Sequence, residues 1–393
     1  VTFVLLDEKD WCRGVYHEGQ LHFKQLPEGL SKTWRYTSYL ENKNIKYASI
    51  YAQGRTIDEV CPEHLKQPWD KSKNKLKAFH NSFVEAKVSL EENCFFDLVP
   101  QQFLLELCDV KCKIIDYVLE TYSKPEEYQF LLDTEKLLHS ISSKSLNLDL
   151  SWLRQQKHEA RARTLLNRIK NISSNVRYNL YGSKTGRLTT VANTFPILNL
   201  DSKYRSMIKP KNDLFVELDY NSAEARVILG LAGFDQPQED IHSWNAKRLS
   251  LTREEAKTEF FAWLYGSSKV DSEKYNKIFK VDRVLDLYYK SGEVKNYYNR
   301  KIESDDFHSM NYLVQSTTND LVLRQILKIN KILKTKKSFI SFIVHDSVVI
   351  DLAKEDKELI KYIVSEFSNT DFGRFPVNLS AGKNYGNLRK ISC

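Results

Sequence analysis

The pattern of apolar and polar positions divides the chain into a β-rich beginning, a helical middle and an alternating second half. Over residues 1–60, short stretches rich in β-branched and aromatic side chains (2–6, 20–25, 34–39 and 46–51) are separated by EG, EGLS and ENKN. Such stretches between turn-forming clusters read as strands. From about residue 58 to 122 the period becomes helical, as in Phe103, Leu104, Leu107, Val110 and Ile114. SKPEE at 123–127 breaks the run, and Pro125 can open the helix expected over 128–140. After ISSKS and LNLDLSWL comes a polar, basic stretch, RQQKHEARARTLLNRIK, read as one helix over 154–170. In the second half, an apolar strand ends at Asp219 and runs into the helical stretch AEARVILG. Thr252 and Glu255 form a T-x-x-E capping box, which predicts a helix over 252–266. A long amphipathic helix is expected over 307–329. Two apolar strands, 342–344 and 348–350, flank His345-Asp346-Ser347 as a hairpin.

Length and composition change this picture only modestly. A chain of 393 residues can build two or three compact units, each with its own core. The charge of +8, from 59 basic and 51 acidic residues, favours a polyanionic partner. No apolar run reaches membrane-spanning length, and the opening VTFVLLDEKDWCRG lacks a secretory-leader pattern. The six cysteines are scattered, which predicts reduced thiols in a cytoplasmic compartment, that of a host if the chain is viral, with an organelle left open. Cys108 and Cys112 lie one helical turn apart without a second Cys/His pair, so they read as structural thiols.

The candidate chemistry lies at strand ends and on one helix. Asp219 at the mouth of a strand suits a hard divalent cation, although an Asp there can equally cap the next helix. Asp346, at the hairpin turn, is the second such carboxylate; two together can chelate a pair of Mg²⁺ ions. His345 beside it is also readable as an ordinary hydrogen-bonded pair with that Asp. Between the two acids, Arg253, Lys257, Phe261 and Tyr265 recur every four residues. They form one helical face that runs cation, cation, aromatic, aromatic. That face fits a ligand with phosphates at one end and a sugar and base at the other; a solvated surface helix is the plain alternative. Arg187, in the loop YGSKTGRLTT, sits in backbone that can approach a phosphate or a base edge. Asn311 and Gln315 share a helix face and can read minor-groove acceptors, or serve as buried structural amides.

In order and spacing these stretches resemble family A DNA polymerases, in a compact phage-type form. DYNSAEARV is similar to motif A, REEAKTEFFAWLYG to motif B and VHDSVV to motif C. TGRL, EDIH (239–242), MNYLVQ and FPVNLSAGKNYG also match. The resemblance covers residues 180–393 well and 75–150 faintly. It implies an α/β (α+β) right-hand polymerase with an antiparallel palm sheet and helical fingers, preceded by an RNase H-like exonuclease-type α/β domain. The expected boundaries are 1–122 for that domain, 123–186 for a reduced thumb, 187–240 and 305–393 for the palm, and 241–304 for the fingers. The implied activity is nucleotidyl transfer from dNTPs to a primer 3′-hydroxyl on template DNA, with two Mg²⁺ ions for which Mn²⁺ can substitute. Asp219, Asp346 and the Tyr220 carbonyl would hold the metals. Arg253 and Lys257 would grip the triphosphate, with Lys257 able to protonate the leaving group and His242 near a phosphate. Phe261 would pack on the deoxyribose, Tyr265 would border the nascent pair, and Glu224 would be the gate against a ribose 2′-hydroxyl. Arg187, Asn311 and Gln315 would hold the primer–template minor groove, and His345 the primer end.

Three departures from the family pattern shape the expectation. Motif C reads HDS rather than HDE, a feature shared with single-subunit RNA polymerases, so an RNA- or primer-making enzyme is the first alternative; Glu224 argues against it. A catalytically inactive DNA-binding relic is the second, disfavoured by the intact Asp219, Asp346, Lys257 and Arg253. Only 154–181 remains for the thumb, which implies weaker duplex binding and an accessory subunit in its place. In the first 120 residues, Asp7, the HN of His80-Asn81 followed by Glu85, and Asp109 resemble the acids of DEDD 3′–5′ exonucleases. Lys9 stands where a second acid is expected and Leu105 where a Tyr is expected. The preferred reading is a degenerate domain kept as scaffold or DNA surface.

Overall fold

The structure is a computed structural model that describes residues 1–9, 12–23, 25–30, 32–33, 46–90, 92–267 and 269–391. The strand expected at 34–39 lies outside these residues. The chain forms two compact units, Val1–Leu132 and Asp133–Cys393, dividing inside the helix Tyr128–Ser142 and not at the break after residue 122.

In the first unit, β1 (Phe3–Lys9), β2 (Cys12–His17) and β3 (Gln20–Phe23) form an antiparallel sheet in that order. β4 (Lys32–Thr33) and β5 (Lys46–Tyr47) pair in parallel, and a parallel bridge between Thr2 and Lys32 joins β4 to the free side of β1. The strand expected over 46–51 stops at Tyr47. Ala48–Tyr51 is a helical turn that buries Ala48 and Ile50, because one short apolar stretch satisfies either period. Helices α1 (Glu63–Glu85) and α2 (Gln101–Thr121) supply the core. The stripe Phe103, Leu104, Leu107, Ile114 is buried with Trp69 and Tyr16. Each such side chain contributes roughly 1.5–3 kcal/mol by leaving water. The expectation of reduced cysteines fails at one pair: Cys12 and Cys94 form a disulfide across 82 positions, while Cys61, Cys108 and Cys112 are free. Nothing in local sequence signals such a pairing, since only the fold brings the two Cα atoms to 5.7 Å.

The second unit is built on a five-stranded antiparallel sheet. The basic stretch expected as one helix splits into α3 (Ser151–Gln155) and α4 (Ala160–Lys170). Then follow β6 (Leu214–Tyr220), α5 (Ala223–Leu231), α6 (Ile241–Leu249) and α7 (Arg253–Leu264). A small three-stranded sheet, β7 (Tyr289–Lys290), β8 (Glu293–Lys295) and β9 (Lys301–Glu303), precedes the 28-residue α8 (Asp306–Leu333). β10 (Phe339–Val344), β11 (Ser347–Leu352), β12 (Val377–Gly382) and β13 (Arg389–Lys390) complete the large sheet, in the order β10-β11-β6-β12-β13. β6 is central and β11 is buried along its whole length, which explains their near-continuous apolar runs. The capping box at Thr252 and Glu255 is formed in both directions, and α7 begins at Arg253 and ends at Leu264. A Schellman-type stop follows: Ser267 N–H reaches the Ala262 carbonyl, and Gly266 takes φ +75.

Candidate active site

The central strand sets the site. Alternation along β6 puts Glu217 and Asp219 on one face. Asp219 pairs across the sheet with Ser347 on one side and Asn378 on the other. Asp346 sits in the two-residue turn just before Ser347, so the β10–β11 hairpin delivers it beside Asp219. That turn needs a left-handed residue, and His345 supplies it at φ 53. Both carboxyls are pushed up by burial. Asp219 rises to about 7, with the nearby Asp346 charge and then Glu217 adding to the effect and Asn378 Nδ2, at 3.3 Å, opposing it. Such a pair holds negative charge at a cost that a cation would relieve. The third carboxylate, Glu217, escaped sequence reasoning. Ser347 Oγ donates to its Oε1 at 3.4 Å, and the period-two pattern alone could have placed it on the Asp219 face.

A second group surrounds Glu224, in the first turn of α5. Ser222, at φ 58, turns the chain from strand to helix and contacts His242 Nε2 at 2.9 Å. Glu224 is nine-tenths buried. Its Oε1 accepts a hydrogen bond from Arg187 Nη2, and its Oε2 lies 3.4 Å from the Tyr265 hydroxyl. Burial raises the Glu224 carboxyl and Arg187 opposes the rise. Arg187, Glu224, Phe261, Tyr265, Gln315, His345 and Asp346 line one cavity of about 290 Å³. The loop, α5, α7, α8 and the hairpin therefore converge on a single space.

The cationic end of α7 lies apart from that cavity lining. Lys257 is exposed. Arg253 forms a fork on Asp240, with Nε to Oδ2 at 3.0 Å and Nη2 to Oδ1 at 3.1 Å, and also reaches Glu254. Burial would raise the Asp240 carboxyl, but the bonds from Arg253 and Ser243 hold it well below the usual range. Asp240 was not singled out from sequence; its signal was an Asp directly before a helix. Arg226, fully buried, fixes this corner by donating to the carbonyls of Asn221, Pro237 and Glu239. His242 is 1% exposed and packs by Phe260 and Phe261, so it lines the interior beneath the aromatic face. Asn311 and Gln315 share a face of α8 as expected, and Gln315 Nε2 donates to Asn311 Oδ1. The Tyr220 side chain points into the core and its hydroxyl donates to the Phe367 carbonyl.

In the first unit the acids do not assemble. A bulge at Leu6 shifts the β1–β2 register just before Asp7, whose Oδ2 accepts the Phe95 N–H at 3.3 Å. Asp109 accepts from the Tyr16 hydroxyl at 3.4 Å and pairs with Lys113 at 2.7 Å. Asp7 and Asp109 line different cavities, and Glu85 is exposed at the end of α1. Among the described residues no three His, Cys, Asp or Glu side chains converge as a metal-holding group.

No protein-family model and no curated protein matches the chain. Solved structures do match. One is the POL domain of Pol1 from M. smegmatis in complex with DNA primer-template and dNTP, at a TM-score of 0.61 and 14% identity, covering 73% of this chain and 76% of that one. At that identity the likeness is one of fold, and the chain has the mixed α/β fold of a polymerase domain.

Proposed function

We propose that this protein is a DNA polymerase that adds dNTPs to a primer 3′-hydroxyl under the direction of a template strand. The observation that carries this reading is the placement of Asp346, at the hairpin turn, beside the strand-end Asp219 and at the cavity lined by Glu224 and Tyr265. The polymerase-domain fold supports it.

The donor set fits Mg²⁺, or Mn²⁺ in its place. Two buried carboxylates and the Tyr220 backbone carbonyl are hard oxygen donors. Asp219 and Asp346 as the two acid ligands leave the remaining positions to water and to the phosphates of a substrate, as Mg²⁺ prefers. When bound, the ions would supply charge neutralisation at the attacking and leaving oxygens. The chain's own residues do the rest. Asp219 and Asp346 would hold the ions at the edge of the cavity, because bare carboxylates repel a triphosphate. Arg253 and the exposed Lys257 would meet its phosphates, and Lys257 would give a proton to the leaving pyrophosphate. Arg253 must then exchange Asp240 for phosphate, so its fork is a resting position. Phe261 and Tyr265 cover the sugar and base, and Glu224 fills the space a 2′-hydroxyl would occupy. Asn311, Gln315 and His345 face the primer–template end.

We further infer that duplex binding rests on α3, α4 and the turn between them, whose exposed Arg154, Lys157, Arg161 and Lys170 offer few phosphate contacts, so that an accessory subunit adds grip. Among the described residues no helix is long and apolar enough to cross a membrane. The deciding experiment is extension of a 5′-labelled primer with Mg²⁺, comparing the wild type with Asp346→Asn and dNTPs with NTPs. The reading expects dNTP-dependent products from the wild type alone. NTP-dependent products would favour the RNA-making alternative, and no extension from the wild type would leave a DNA-binding relic.

A further inference from the structure

Behind the loop that presents Arg187 lies a buried polar cluster that the proposed chemistry does not use. Asp320, in the middle of α8, is 2% exposed. Arg300 donates to both of its oxygens, Nη2 to Oδ1 at 2.6 Å and Nε to Oδ2 at 3.0 Å. Asn296 adds Nδ2 to Oδ2 at 2.9 Å. Asn296 Oδ1 in turn accepts the backbone N–H groups of Tyr298 and Arg300, each at 2.9 Å. The β8–β9 loop is thus closed on itself and clamped to α8. A carboxylate buried in mid-helix without such partners would be strongly destabilising.

The guanidinium has a second contact. Its plane lies against Gly186, where a Cβ would come within 2.7 Å of Arg300 Cζ, and Gly186 has φ +78. Only glycine fits there. On one side of Gly186, Thr185 Oγ1 donates to Gln315 Oε1 at 3.4 Å. On the other side Arg187 reaches Glu224, whose second oxygen lies 3.4 Å from the Tyr265 hydroxyl. Contacts therefore run without a gap from Asp320 through Arg300 and Gly186 to Arg187, Glu224 and Tyr265.

We propose that Arg300 is a positioning residue for sugar selection: its pair with Asp320 sets the height of the Gly186 peptide and so holds Arg187 against Glu224. The inference rests on the polymerase reading and on Glu224 as the sugar gate. A lysine could neutralise Asp320, but only a planar, forked group can both make the two-pronged pair and offer a flat surface to a glycine peptide. The geometry therefore separates the charge of Arg300 from its shape.

Arg300→Lys tests this, as a cycle with Arg187→Ala. Thermal midpoint, primer–template affinity by fluorescence anisotropy, and the dNTP-to-NTP incorporation ratio are read for the wild type, both single variants and the double. Arg300→Lys should keep its fold and bind primer–template within a few fold. It should lower the dNTP-to-NTP ratio about tenfold, and it should lower it no further once Arg187 is Ala. A purely structural role would leave the ratio unchanged, and independent effects would multiply in the double variant; either result overturns the proposal. Should Arg300→Lys fail to fold, Gly186→Ala takes its place in the cycle, since it keeps both Arg300 and Asp320 and its Cβ would force the loop and the guanidinium apart, with the same expectation. A wild type that neither binds nor extends primer–template would sink the polymerase reading and this inference together. A wild type that extends normally, with additive variants, would sink the inference alone.

Discussion

Each unit carries a set of acids that the sequence singles out, strongly in the second and faintly in the first, and the two sets fold differently. In the second unit Asp219 ends the central strand opposite Ser347, and the hairpin turn just before Ser347 brings Asp346 beside it. In the first unit Asp7 follows a bulge and turns to the Phe95 amide, while Asp109 is taken up by Tyr16 and Lys113. Asp7 takes a backbone hydrogen bond and Asp109 pairs with Lys113, whereas the Asp346 charge adds to the burial that raises Asp219. A site poised for a cation keeps its carboxylates close and underpaired; a scaffold lets each find its own partner. On this comparison the Asp219–Asp346 pair forms one candidate site, while the acids of the first unit stand apart.

Removing either carboxylate of the second unit is the strongest way to break that contrast. Asp219→Asn and Asp346→Asn should each cut primer extension by roughly a thousandfold, because each removes charge stabilisation worth several kcal/mol in the transition state. Extension that survives either change within tenfold would show that the pair is not the catalytic centre. The gate should respond next. Glu224→Ala should relax ribonucleotide exclusion by on the order of a hundredfold while leaving dNTP use largely intact, since a pocket that merely excludes a hydroxyl discriminates on that scale. Single-nucleotide incorporation with dNTP and NTP gives the ratio directly.

The pH response is smaller and tests the electrostatics. The Asp219 carboxyl rises to about 7 in the fold, above the ordinary carboxylate range. The folded state therefore holds a proton that the unfolded chain has lost, and its stability contribution fades as pH rises through about 7. Without divalent metal, the wild-type melting temperature should fall by a few degrees between pH 5 and pH 8, and Asp219→Asn should flatten that fall. An identical melting profile in the variant would remove Asp219 as the source. The smallest expected effect belongs to the first unit: Asp7→Asn and Asp109→Asn should leave 3′–5′ degradation of a mismatched primer unchanged from an already low level. A clear Mg²⁺-dependent loss in either variant would place a working exonuclease in this unit and dissolve the comparison.

Much of the second unit was legible because its signals are local and periodic. The capping box at Thr252 and Glu255, the four-residue spacing through Tyr265 and the apolar arms of the hairpin each depend on neighbours within a turn or a strand. The boundary errors have similarly local causes. Residues 154–170 carry a helical composition throughout, yet α3 ends at Gln155 and α4 starts at Ala160. Residues 48–51 fit either period and are helical.

By itself the sequence determined which residues carry charge and shape at each element's end: an acid closing a central strand, another at a hairpin turn, and a cation–aromatic helix between them. Those are consequences of backbone period and turn chemistry. The tertiary structure decided which of them share a space. Sheet register joined Asp219 to Asp346 and added Glu217. A left-handed Ser222 buried His242 beneath the aromatic face, and Asp240 took Arg253 in the free protein. Arg187, read from sequence as a loop cation for nucleic acid, meets Glu224 in the fold, and Arg300, held by Asp320 more than a hundred positions along the chain, lies against the neighbouring Gly186. Such long-range pairings depend on packing and on the cost of burying unpaired charge, and no local pattern encodes either.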